Sequence, residues 1–375
     1  PFKVVEILTE AMAPVEAFER MKAVPGEDGT LKPGYEAAPL RTVDPIERMK
    51  ENRMEPITYT GDKGYKLGDV LDKKVTMEEF VAQLSDEDLI CIFRGEGMCS
   101  PKVTPGTAAA FGGLTPELQE FGIPAACCTD GPSGLRFDCG TRAFSMPNGT
   151  LLGCTFDLPL VEDLYEMAGR EMRQNRVDAL LGPGMNIHRN PLCGRNYEYY
   201  SEDPYLSGML AAAVIRGVQS KSGCGVTIKH FACNNQEDNR MGVDSCVSER
   251  ALREIYLRGF EIAVKEGNPV SIMTSYNLIN GIHAANSKDL CMTVARKEWG
   301  FDGAIMSDWN TTVPEDGSVP WKCVAAGNDI IMPGNPDDDK NIRQAYKEGK
   351  LTEEEIRNCA GHLVSMIRRL ERTDC

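Results

Sequence analysis

From Ile123 to Met332 the chain alternates short apolar runs with longer stretches whose apolar residues recur three and four positions apart, and no other feature constrains the fold as strongly. The runs are Ile123–Cys128, Ala179–Met185, Val226–Ile228, Val270–Met273, Ala304–Met306 and Ile330–Met332. The amphipathic stretches include Leu160–Gln174, Tyr205–Gln219 and Ser248–Lys265. Such alternation describes βα units around a parallel sheet. Six strands are two fewer than a closed eight-stranded barrel needs, so the other two are expected to be short or irregular. The expected fold class is α/β: a TIM-like (β/α)8 barrel, irregular or incomplete, with an N-terminal linker extension.

Each run ends on groups that can do chemistry. Asp130 follows the first, Asn186 and His188 the second, Lys229 and His230 the third, Tyr276 and Asn277 the fourth, and Asp308 the fifth. The C-terminal ends of barrel strands converge on one face, where the loops build an active site. A site assembled from the whole region is therefore expected.

Composition narrows what such a site takes. A formal charge of −15 without any Lys/Arg-rich cluster disfavours nucleic acid and anionic membrane. No run approaches the roughly 18 apolar residues of a membrane helix, so a soluble protein with a neutral substrate is expected. Fourteen cysteines are scattered without a C-x-x-C, and there are only four histidines, so neither a disulfide scaffold nor a zinc site is expected. Reduced, mostly buried thiols point to the cytoplasm, and the N-terminus lacks the features of a signal peptide. No cofactor is expected.

The first 56 residues differ from the rest. Val4–Leu8 reads as a strand, and the stretch from there to Glu55 is rich in Pro, Gly and charge, with Pro25-Gly26 and Lys32-Pro33-Gly34 as turn or linker signals. Residues 1–56 are accordingly read as the end of a preceding domain plus a linker, and 57–375 as the barrel. Thr76-x-x-Glu79, Ser85-x-x-Asp88 and Thr352-x-x-Glu355 are capping boxes that predict helices beginning near residues 77, 86 and 353.

Five stretches occur in an order that resembles glycoside hydrolase family 3. They are Asp130-Gly-Pro-Ser-Gly-Leu-Arg136, Gly194-Arg-Asn-Tyr-Glu-Tyr-Tyr-Ser-Glu-Asp-Pro204, Lys229-His-Phe-Ala-Cys-Asn-Asn-Gln-Glu237, Ser275-Tyr-Asn277 and Met306-Ser-Asp-Trp309. The resemblance spans about Ile123 to Pro333. It implies a retaining, exo-acting β-glycosidase, a β-glucosidase before a β-xylosidase, with a β-glucoside or oligosaccharide as substrate.

From the residues alone Asp308 reads equally as a catalytic carboxylate or as a cap on the following helix. The resemblance makes it the nucleophile. Asp130 reads as an Asx-turn before Gly131-Pro132 or, by resemblance, as a carboxylate accepting from two sugar hydroxyls. Arg195, Lys229 and His230 are donors whose family counterparts line the sugar pocket, although a loop cation taken alone is usually just solvated. A cation beside Asp308 would hold its pKa low. Consecutive strand residues point to opposite faces, so Lys229 and His230 share a pocket only if the backbone departs from a regular strand; the resemblance implies non-proline cis peptides there. It also places Met273, Tyr276 and Trp309 around the sugar, Trp309 as an aromatic platform, although apolar residues at such positions are more often plain core. Asn186 and His188 are read as supports.

A retaining mechanism needs a second carboxyl group about 5–5.5 Å from the first. Glu198, Glu202 and Glu237 lie inside the motifs, but the resemblance gives none of them that role. Most β-glucosidases of the family draw the acid/base from an α/β sandwich domain, and only 42 residues follow Pro333. The expectation is that a preceding sandwich domain or a second chain supplies it, and a homo-oligomer is compatible with this. A sugar-binding barrel without activity is the competing class. The family's β-N-acetylhexosaminidase branch, whose loop continues with proline and a second histidine, is disfavoured by Ala232-Cys-Asn-Asn235.

Overall fold

A computed structural model describes residues 10–51, 57–98 and 100–371. The strand expected at Val4–Leu8 lies outside the described residues. The central sheet contains β3 (Ala109–Gly112), β4 (Ala125–Asp130), β5 (Ala179–Gly184), β6 (Gly225–Phe231), β7 (Ser271–Thr274) and β8 (Ala304–Met306), paired in that order. All neighbours are parallel except β3, which runs antiparallel to β4.

Two short segments continue the ring. Ile330 bridges Met306, Ile331 bridges Arg94, and Glu96 bridges Ala110 of β3. The bridges are carried by backbone bonds from Ser307 N to Ile330 O (2.9 Å), Ile331 N to Phe93 O (2.8 Å) and Glu96 N to Ala110 O (2.8 Å). Counting residues 94–96 and 330–332, eight staves encircle the core. The two that the apolar pattern does not show are the short, charged Arg94-Gly95-Glu96 and the reversed β3.

Side-chain alternation along the staves separates inside from outside. Leu180, Val226, Ile228, Ile272 and Ile305 pack with Tyr165 and Val161 of α4 (Leu158–Gln174), Val214 of α5 (Pro204–Gln219) and Phe260 of α6 (Arg258–Gly267). Their neighbours Leu181, Met273 and Met306 belong to a second cluster with Phe111. That cluster extends to Phe80 of α2 (Met77–Ala82), Leu89 of α3 (Asp86–Ile92) and Leu363 of α7 (Glu353–Arg369). Each such burial is worth about 1.5–3 kcal/mol.

The predicted caps form. Thr76, Ser85 and Thr352 accept from the N–H three residues on, and Glu79, Asp88 and Glu355 accept in return from the cap N–H. The stretch Ser248–Lys265 is not one continuous helix. A wider turn at Leu252–Tyr256, closed by Leu257 N to Leu252 O (2.8 Å), precedes α6. Around this turn Glu249 accepts from Met12 N, while Arg253 bridges Glu249 and Glu298.

The segment read as linker contains structure. β1 (Glu19–Pro25) and β2 (Leu31–Ala37) form an antiparallel hairpin, and α1 (Pro45–Glu51) follows. Pro25-Gly26 leads into its turn, where Gly26 N reaches Thr30 O (2.7 Å) and Gly29 adopts φ +76°, whereas Pro33-Gly34 lies inside β2, opposite Ala23 and Lys22. The hairpin is largely exposed and adds nothing to the core. It joins the barrel rim through Arg41 to Asn280 O (3.0 Å) and Asn280 to Met12 O (2.7 Å). Among the described residues no helix is long and apolar enough to cross a membrane.

Candidate active site

A cavity of about 320 Å³ opens at the C-terminal ends of the staves. All eight residues singled out in the sequence line it: Asp130, Arg195, Lys229, His230, Met273, Tyr276, Asp308 and Trp309. They come from the ends of β4, β6, β7 and β8 and from the loop after β5, as a barrel mouth requires.

Asp308 lies two residues beyond β8 and is buried. It does not cap a helix, because the next helix begins at Pro320 behind Val319. One carboxylate oxygen, Oδ1, accepts from Trp309 N at 2.7 Å, whereas buried Oδ2 has no hydrogen-bond partner among the described residues. Burial raises the Asp308 pKa above the ordinary aspartate value. Lys229, the Trp309 N–H, Arg195 and Arg240 oppose that rise without cancelling it. The expectation that neighbouring cations hold this pKa low is therefore wrong in sign: desolvation outweighs them.

Asp130 shows the opposite balance. Burial raises its pKa, but the charge and hydrogen bond of Lys229, the Gly131 N–H and Arg195 bring it below the usual value. Its Oδ1 accepts from Lys229 Nζ at 2.6 Å, a contact spanning 99 residues of sequence, so the side chain does more than shape a turn. Gly131 supplies the turn, with φ +138° and a Cβ position that would fall 1.6 Å from Gly134 O.

Lys229 and His230 are both almost fully buried and both line the cavity. The Lys229–His230 and Phe231–Ala232 peptides are cis. Asn186 brackets the His230 backbone, accepting from its N–H (2.9 Å) and donating to its carbonyl (2.8 Å). Burial lowers the His230 pKa far below the usual value, and Arg195, Lys229 and Arg240 lower it further, which favours the neutral ring. Its Nε2 sits 3.8 Å from Asp308 Oδ2. Burial, then the Asp308 charge, raises the Tyr276 hydroxyl pKa. His188 bonds Asn196 O (2.8 Å) and stays outside the cavity lining, as a support.

Sequence reasoning missed Arg240, Arg136, Asp138 and Met98 in the lining. Arg240 stacks 4.5 Å from the Tyr276 ring centroid and pairs with Glu237 at 2.8 Å. Its spacing of three from Glu237 was the available signal. Arg136 sits at the end of the first motif, 3.9 Å from Asp130 and 3.1 Å from Asp138. Glu198 and Glu237 are engaged with arginines: Arg195 bonds Glu198 and lies 4.0 Å from Glu237. No glutamate among the described residues lines the cavity.

Residues 61–366 match the model described as "Glycosyl hydrolase family 3 N terminal domain". A β-glucosidase from Ruminococcus albus is 52% identical over 373 residues, covering 97% of this chain and 39% of that protein. A β-glucosidase structure from Paenibacillus barengoltzii superposes with a TM-score of 0.90 at 51% identity, covering 98% of this chain and 41% of that one. β-Glucosidase 3B from Thermotoga neapolitana, solved with glucose, gives a TM-score of 0.72 at 42% identity, covering 78% and 42%. The chain thus spans about two fifths of the length of these relatives.

Proposed function

The chain belongs to glycoside hydrolase family 3, and from that premise we propose that it is the barrel of a retaining, exo-acting β-glucosidase whose nucleophile is Asp308. The observation that carries the reading is the Asp308 carboxylate: buried, with Oδ2 lacking a hydrogen-bond partner, in a cavity lined by donors suited to hydroxyls. An unsatisfied carboxylate oxygen is costly to hold, and a nucleophile must keep such a lone pair free. The cavity volume is at the small end of ligand pockets and suits one terminal sugar. Glucose is the sugar favoured, on the names of the relatives.

In this reading Asp130 accepts hydrogen bonds from two sugar hydroxyls, and Lys229, Arg195 and Arg240 donate to others. Trp309 and Met273 cover the apolar side of the ring. Asp308 attacks the anomeric carbon as the aglycone departs, giving a glycosyl-Asp308 ester that water then hydrolyses. The acid/base comes from outside this barrel, from a sandwich domain or a second chain. In support, no glutamate lines the described cavity, Glu198 and Glu237 are committed to arginines, and the relatives are more than twice as long. A cytoplasmic setting goes with this reading, with Cys127 and Cys128 adjacent as buried free thiols.

The test is incubation with an activated 2-deoxy-2-fluoro β-glucoside, followed by intact mass and peptide mapping. One added fluoroglucosyl group on the peptide containing Asp308 is expected. Label on another carboxylate refutes the assignment.

A further inference from the structure

Behind the cavity wall a line of hydrogen bonds ends on the imidazole that faces Asp308. Buried Asn234 places Nδ2 3.0 Å from Glu237 Oε1 and 3.1 Å from the Tyr199 hydroxyl oxygen. Glu237, paired with Arg240 at 2.8 Å, is a carboxylate and can only accept. That contact fixes the Asn234 amide with Nδ2 toward Glu237, and its second proton goes to Tyr199. The Tyr199 oxygen is thus an acceptor, and its own proton needs a destination. Among the described residues the remaining partner is His230 Nδ1, 3.3 Å away.

We infer that Asn234 and Tyr199 are positioning residues that set the tautomer of His230, leaving its proton on Nε2, the nitrogen 3.8 Å from Asp308 Oδ2. An Nδ1 that accepts the Tyr199 proton must be bare, so the ring carries its single proton on Nε2, and burial, which lowers the His230 pKa, favours the same neutral state.

The competing arrangement puts the proton on Nδ1, directed at Asn186 Oδ1, 3.4 Å away. That oxygen already accepts from the His230 backbone N–H at 2.9 Å. Choosing it would strand the Tyr199 hydroxyl proton inside the protein, where Tyr199 has no exposure. Losing a buried donor outright costs more than a long contact to an occupied acceptor returns. It would also turn the Nε2 lone pair toward the unpartnered Asp308 Oδ2.

The consequence for activity rests on the glycosidase reading; the tautomer does not. With the proton on Nε2, a neutral N–H dipole points into the cavity, stabilises the Asp308 charge and is free to donate to a sugar hydroxyl. Neither relay residue lines the cavity; Asn234 also touches Glu237 and Tyr199 lies under Arg195, so the tautomer, not activity alone, is the readout that isolates the path through His230.

The experiment is a long-range proton–nitrogen correlation of the imidazole rings in the purified, nitrogen-15-labelled protein near neutral pH. The sequence has four histidines, and His230→Asn assigns the relevant set. The expected spectrum shows a pyridine-type Nδ1 and a protonated Nε2 at His230. Tyr199→Phe should move the proton to Nδ1 or average the two states, and lower kcat/KM on an activated aryl β-glucoside about tenfold. A wild-type spectrum with the proton on Nδ1 overturns the inference whether or not the variant folds. An unchanged His230 tautomer in folded Tyr199→Phe overturns the role of Tyr199. The predicted spectra in a protein without glycosidase activity would instead defeat the functional reading and leave the tautomer standing.

Discussion

Replacing Lys229 by methionine probes the charge balance of the cavity directly. Lys229 is 3% exposed and holds Asp130 Oδ1 at 2.6 Å; it is also the largest opposing influence on the burial-raised pKa of Asp308. Removing one member of a fully buried ion pair costs about 3–5 kcal/mol. The Asp130 side chain, however, keeps 38% of its surface, and water replaces part of the lost contact. About 1–3 kcal/mol is the better expectation, or roughly 10–100-fold in kcat/KM. The loss has a pH signature. Lys229 stabilises the ionised forms of both carboxylates, so without it both protonate at higher pH. The acidic limb of kcat/KM, which on the proposed assignment reports ionised Asp308 in the free enzyme, should therefore shift upward. The assay is kcat/KM against pH on an aryl β-glucoside with an activated leaving group, which makes little demand on a general acid. An acidic limb at the wild-type position in Lys229→Met would refute the reasoning.

Asp308→Asn should abolish turnover by about 10⁴-fold or more while sugar binding persists, as checked by burst kinetics and glucose titration. The same variant should be more stable at neutral pH. A folded-state pKa raised by burial means that the wild-type carboxyl favours folding only below its unfolded pKa and loses that contribution as pH rises through the folded one; a gain of about 0.5–2 kcal/mol in urea melts at pH 7 is expected. Asp130→Ala should lower kcat/KM by several kcal/mol through broken hydroxyl contacts, and a mild rise in KM alone would favour a turn-forming role. If the acid/base lies outside the barrel, the purified chain should lose alkyl and sugar leaving groups far more than activated aryl ones, by about 10²–10⁴-fold; full activity on cellobiose would contradict this.

Most of the site was legible because each functional group ends an apolar run, and strand ends in a barrel converge whatever the loops do. Asp130, Lys229 with His230, Tyr276 and Asp308 were reached from that rule together with the five motifs. The features that escaped did so for identifiable reasons. Arg94-Gly95-Glu96 carries no apolar signal, because a stave joined to its neighbours by single bridges needs little side-chain burial of its own. Ala109–Gly112 is made of small residues around Phe111, and its reversed direction relative to β4 is not something strand patterns encode. The β1–β2 hairpin was hidden by proline and glycine residues that serve a turn as readily as a linker. Arg240 looked like any solvated loop cation until Glu237 and Tyr276 were seen to hold it. The sign of the Asp308 shift was missed because sequence shows which charges neighbour a group but not how completely it is desolvated.

The charges of the cavity explain why the histidine must be neutral. Arg136, Arg195, Lys229 and Arg240 face Asp130, Asp138 and Asp308, so cations already exceed carboxylates in the lining of a chain whose formal charge is −15. A neutral sugar brings no counter-charge. Those cations oppose the desolvation of Asp308, but in the proposed reaction an oxocarbenium-like transition state develops positive charge at the anomeric centre and is penalised by every further cation nearby. On the proposed mechanism a protonated His230 would add one at 3.8 Å from Asp308, weakening its nucleophilicity and repelling the charge it captures. Burial together with Arg195, Lys229 and Arg240 disfavours that protonation. The same cations that hold Asp308 closer to ionisation therefore also keep the imidazole uncharged, and His230 can offer an N–H dipole to the cavity without adding a charge.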